Sequence, residues 1–123
     1  MPGVSLDAVW KVGTALPGVV QSTAYGSPAL KSHGQLMAAV PTNKSAEPGS
    51  LMVRVDRNDR KTMLPEAPEL YYVTDHYLAY DAVLVRLERL NPELLHDLLV
   101  MAHRFVARKG KGRPEPILRR VRS

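Results

Sequence analysis

The chain has 123 residues, a formal charge of +5 and no cysteine, which sets aside disulfides, thiol nucleophiles, thiolate zinc sites and iron–sulfur clusters together. That length suits one domain burying roughly 65% of its unfolded surface; no segment reads as a secretory leader or approaches the ~20 apolar residues of a membrane span, so a cytoplasmic protein is expected. The charge is uneven: residues 108–123 hold seven Lys/Arg against one acid, a net of +6, so the body, residues 1–107, carries −1 and the basic character belongs to a C-terminal tail.

In chain order, Ser5 is a candidate N-cap for a helix over "LDAVWKVGTAL", with Asp7 in the first turn and Leu6, Val9, Trp10 and Leu16 at helical spacing. Pro17-Gly18 ends it. "VVQSTAY", "PALKSH", "QLMAAV" and "SLMVRV" read as four strands, two of them in a tight hairpin around Gly34. In the fourth, Leu51, Val53 and Val55 share one face and Met52 and Arg54 the other, as in a sheet covered on one side. Asp56 caps a short, charged helix expected over residues 57–64 and closed by Pro65. "ELYYVT" and "AVLVRLE" read as two more strands joined by a loop, "DHYLAYD", with Val83, Val85 and Leu87 on the buried face and Leu84, Arg86 and Glu88 on the opposite one. Asn91-Pro92, an N-cap followed by proline, opens the strongest helix, whose wide stripe of Leu94, Leu95, Leu98, Leu99, Ala102, Phe105 and Val106 ends at Gly110. This order predicts an α+β two-layer sandwich: a twisted antiparallel sheet of about five to six strands with helices packed on one face.

No nucleophile elbow, zinc-protease, P-loop or dinucleotide-binding spacing occurs, so neither catalytic residue nor cofactor is assigned, and a non-enzymatic monomer is expected. His96 and His103 lie seven apart on the last helix, about 10 Å along its axis, which is too far for a helical zinc pair. Four of the five tyrosines, a histidine and two aspartates fall between Tyr71 and Asp81. Tyr71 and Tyr72 must face opposite sides of a strand. Asp75 and His76, as sequence neighbours, point apart in an extended chain and need not form a relay. That leaves His76, Tyr77 and Tyr80 as a crown with flat rings to offer a ligand or base, or simply to cap the sheet edge. Lys31, His33 and Gln35 alternate to one side if their hairpin is regular. Together the two groups are the candidate polar-aromatic surface for phosphate or base contacts. Arg108, Lys109, Lys111, Arg113, Arg119 and Arg120 in the tail suit phosphate contacts through counterion release, against the plainer reading of a solvated terminus.

Several of these residues carry a family resemblance. Leu16-Pro17-Gly18-Val19, Tyr25-Gly26-Ser27-Pro28-Ala29-Leu30-Lys31, Gly34, His76-Tyr77 and Val83-Leu84-Val85-Arg86-Leu87 resemble the motifs of the bacterial MmcQ/YjbR family over residues 6 to about 106. Gln35, Asp75 and Leu78 stand where that family commonly has lysine, proline and a basic residue. The resemblance implies a small α+β fold with a twisted antiparallel sheet, and a DNA-binding role in which strand-borne loops act as two wings. The alternative is a small-ligand or protein-binding module using the same His76/Tyr77 surface as a pocket, which predicts a concave site under "DHYLAYD".

Overall fold

The computed structural model describes residues 3–111. Ser5 opens the first helix, α1 (Leu6–Thr14), its hydroxyl accepting from the Ala8 amide at 3.2 Å. Two hairpins follow in β1 (Val19–Ala24), β2 (Ser27–Ser32) and β3 (Gln35–Ala39), each closed by a two-residue turn. Both turns, Tyr25-Gly26 and His33-Gly34, have positive φ at both positions (53° and 79°, 50° and 80°), the signature of the I′ turn that matches strand twist. Tyr25 and His33 are thus turn residues and not the ends of strands. β4 (Ser50–Arg54), α2 (Arg57–Glu66), β5 (Tyr71–Tyr72), α3 (Asp75–Leu78), β6 (Ala82–Arg86) and α4 (Pro92–Lys111) complete the order, with a 3-10 turn at Leu87–Arg89.

The six strands form one antiparallel sheet in the order β1-β2-β3-β4-β6-β5, the two-layer α+β architecture the element order predicts. Pairing register assigns the faces. Leu30, Ala38, Val53 and Val83 lie side by side across β2, β3, β4 and β6, and all belong to the main core with Leu95, Leu99, Ala102 and Val106 of α4. α4 is set by Pro92 at its first position and by Asn91, whose side-chain oxygen accepts from the Leu94 amide at 2.8 Å. α1 packs so closely on β2 that a methyl group on Gly13 would stand 2.4 Å from Leu30 Cδ1. Glycine there permits the approach at the cost of helix propensity.

On the other face, Ala29, Ala39, Met52 and Leu84 are neighbours. Leu84 is fully buried, so this face is covered as well at its centre, where an open strand face was expected. The 40–49 connection is tied to this side of the sheet by Ser45 Oγ to Thr74 Oγ1 (2.7 Å), the Glu47 amide donating to Tyr72 Oη (2.8 Å), and Arg86 clasping Glu47 through Nε (2.9 Å) and Nη2 (2.7 Å). Elsewhere boundaries move: β5 has two residues, α2 runs through Pro65 to Glu66, and α4 runs through Gly110 to Lys111. The connection "DHYLAYD" contains a full helical turn, α3.

Candidate functional site

The crown is built from α2 upward. α3 is a single turn, so its last carbonyls lack intrahelical partners. Arg60, buried in α2, supplies donors to them and to the turn that follows: Nη2 donates to the Leu78 carbonyl at 3.2 Å, and Nη1 to the carbonyls of Tyr80 and Ala82 at 2.9 Å and more distantly to Tyr77. One turn earlier Arg57 donates through Nη2 to the Ala79 carbonyl and through Nε to Asp81 Oδ1 at 2.7 Å. Two arginines at i and i+3 on one helix therefore fix the shape of residues 77–82.

That bracing brings three rings together. His76 and Tyr77 meet edge to face at 4.7 Å between centroids, with Tyr80 5.8 Å from His76 and 6.2 Å from Tyr77. Tyr77 is buried, and its burial pushes the phenol above its ordinary pKa, more than the bond to the Asn43 backbone lowers it. It is a neutral hydroxyl at neutral pH. His76 and Tyr80 are exposed.

Under the crown lies a cleft of about 590 Å³, within the ~300–1,000 Å³ range of small-molecule sites. Leu36, Ala39 and Met52 contribute an apolar lining, His76, Tyr77 and Tyr80 line it from the crown, and Tyr25 from the β1–β2 turn. Arg54, Arg57 and Asp81 add charge. Asp81 is the meeting point: its backbone carbonyl accepts from Arg54 Nε at 3.0 Å, and its carboxylate faces Arg57 at 2.7 Å and Lys109 Nζ at 3.5 Å. Burial pushes the carboxyl upward, but the Arg57 hydrogen bond and the charges of Lys109 and Arg57 outweigh it and hold Asp81 below the ordinary carboxylate value. Arg108 and Lys109 also stand over the Phe105 ring at 5.9 Å and 5.6 Å, as does Arg54 at 5.4 Å.

The candidate residues are thus only partly brought together. His76, Tyr77 and Tyr80 line the cleft, and Lys31 shares its face as the cross-strand partner of Leu36 without lining it. His33 and Gln35 do not join them. The hairpin is not regular: Leu30 pairs with Ala38 and Lys31 with Leu36, which leaves Met37 as a bulge. Gln35 pairs with Ser32, one position from the Lys31–Leu36 pair and so on the opposite face. His33 sits in its turn against Gly18, where a Cβ would meet His33 Nε2 at 2.4 Å. Arg108 and Lys109 ride on the last turn of α4; Lys109 reaches the rim of the cleft through Asp81, whereas Arg108 stands over Phe105. Lys111 is the last residue of α4, and Arg113, Arg119 and Arg120 lie outside the described residues.

Sequence reasoning missed Arg54, Arg57, Arg60 and Tyr25. An aromatic-Gly pair between two alternating runs, "AYGS", is a hairpin signal that marks Tyr25 as a tip residue. His96 contacts Asp97 at 3.6 Å, whereas His103 Nε2 donates to the Pro17 carbonyl at 2.8 Å and so anchors α4 to the start of the sheet. Among the described residues no three His, Cys, Asp or Glu side chains cluster as metal ligands, and no helix is long and apolar enough to cross a membrane.

No family model matches the chain, and no curated protein does. A solved structure does: the crystal structure of Deinococcus radiodurans protein DR2400, a DUF419 domain, superposes with a TM-score of 0.72 over 94% of this chain and 87% of that one at 21% identity. The two chains share a fold. DUF419 is a family of the MmcQ/YjbR-like fold, so the architecture implied by the sequence motifs has a solved counterpart, whereas identity this low says nothing of activity.

Proposed function

We propose that this chain is a nucleic-acid-binding domain of the MmcQ/YjbR type, with the cleft under the crown and the basic C-terminal segment as parts of one binding path. One observation carries the reading: α4 brings Lys109 to Asp81 at the rim of a cleft that already holds Arg54 and Arg57, with Asp81 the one carboxylate lining it among the described residues and Arg108 one position away over Phe105. Local charge there is positive although the body as a whole is not. Polyanions bind such surfaces by counterion release, and exposed rings beside the cations supply stacking platforms.

Fluorescence anisotropy with a labelled mixed-sequence oligonucleotide, at two salt concentrations, tests it on the full chain and on a chain ending at Ala107, which keeps every core residue of α4. If about four cations contact phosphates, log K falls with log salt at a slope of roughly −3.6 on a duplex or roughly −2.8 on a single strand, and the shortened chain shows a smaller slope and weaker binding. Absence of binding by either chain near physiological salt defeats the reading. Equal binding by both removes the basic segment from it.

The second reading, a small-ligand module without nucleic acid, draws on the cleft itself, a concave site under "DHYLAYD". It predicts ligand-induced thermal stabilisation with no salt-dependent affinity for oligonucleotides.

A further inference from the structure

Tyr25 is the most conspicuous side chain of the cleft. Its backbone lies in the left-handed region at φ 53°, a conformation unfavourable to a side chain with a Cβ and one that Asn or Gly would adopt more easily. Its side chain is 89% exposed, so folding recovers little from burying it. A large ring is thus held in a strained turn and kept in water at the wall of a cavity, where strain points to a role outside the fold. Across the cleft Tyr80, 52% exposed, and His76 offer two more ring faces.

Between these platforms the cleft is cationic. Arg54 uses Nε for the Asp81 carbonyl, and neither of its Nη groups has a protein acceptor among the described residues; such a planar fork matches phosphate geometry. Arg57 and Lys109 stand beside it, and Asp81 is the one carboxylate lining the cleft among the described residues.

Apolar floor, exposed rings and a donor fork in one cavity together match a nucleoside phosphate whose base is free on both faces. We infer that the cleft binds an unpaired nucleotide unit, its base stacked on Tyr25 or Tyr80 and its phosphate held by Arg54 with Arg57. A base inside a duplex is already stacked and paired, so it cannot enter without being extruded. The site therefore prefers single strands or free nucleotides to duplex. This goes beyond the nucleic-acid reading, because the cleft's chemistry does not depend on what the basic segment touches.

The test uses the full chain, wild type and Tyr25→Asn. Asn relieves the turn, so this variant is expected to fold, with Tm raised by about 2–4 °C. Four probes are compared by anisotropy and calorimetry at one salt concentration: adenosine monophosphate, a labelled single-stranded octamer, its duplex, and an octamer of abasic nucleotides. The octamer should bind about tenfold more tightly than duplex or abasic strand, and Tyr25→Asn should remove about tenfold of that affinity. Abasic strand binding as well as the octamer, or no effect of Tyr25→Asn on any probe, overturns the inference. If duplex binds and is indifferent to Tyr25, the nucleic-acid reading survives and the inference falls. If the monophosphate binds with the same Tyr25 dependence and the octamer adds nothing, the inference stands with free nucleotide as the source, and the nucleic-acid reading falls. No binding of any probe overturns both.

Discussion

Asp81 shows how one residue can serve both fold and site. Its carboxylate neutralises part of a cluster of cations, and its carbonyl orients Arg54. Because its folded pKa lies below the unfolded value, its stabilising contribution is complete above the unfolded pKa of about 3.9 and is lost as pH falls through the folded value. The difference in urea midpoint between wild type and Asp81→Asn should therefore be constant from pH 7 to about 5 and shrink below pH 4. A difference that grows on acidification contradicts this. The energy is small in either case, since Arg57 is half exposed. At this scale His76, Tyr77 and Tyr80 were legible in the sequence because their crowding exceeds what strand alternation explains. Arg54 was not, because a strand arginine opposite Met52's neighbours reads as a solvated side chain until Asp81 is placed beside it. His33 and Gln35 misled for a physical reason: the two-residue I′ turn pairs Ser32 with Gln35 and so breaks the alternation that their spacing assumes.

At the scale of elements, the long amphipathic α4 and the alternating strands β1 to β4 were readable because each carries its own periodicity. α3 was not: four residues are too few to show a helical period, and the turn exists through contacts made by α2, distant in sequence. The same nonlocality bears on Leu84, buried on a face to which a connection that reads as polar linker is tied through Thr74 and Tyr72. Arg60 is where the helix pair is most vulnerable. Replacing it with leucine fills the volume but leaves the carbonyls of Leu78, Tyr80 and Ala82 without donors, so Arg60→Leu should destabilise the protein by about 2–3 kcal/mol in chemical denaturation. A loss under 0.5 kcal/mol would show that water replaces the guanidinium freely and that α2 does not hold the crown.

Over the whole molecule, α1 and α4 pack on one face of the sheet and the cleft, walled by α3, lies on the other, so the core and the site draw on alternate residues of the same strands. Val53 and Val83 pack under α4, while Met52, Arg54 and Ala82 line the cleft. This separation leaves the cleft's exposed rings, Tyr25, His76 and Tyr80, replaceable without opening the core. Under the proposed function it also sets where a ligand acts. In a ¹H–¹⁵N correlation spectrum of the full chain titrated with a short single-stranded oligonucleotide, shifts should concentrate at Tyr25-Gly26, residues 54–57, residues 76–82 and Arg108-Lys109, with Lys31 weaker and the His33-Gly34 turn unmoved. Shifts confined to residues beyond Lys111, or centred on the His33-Gly34 turn while the crown stays still, would contradict the claim that the cleft under the crown is the binding site.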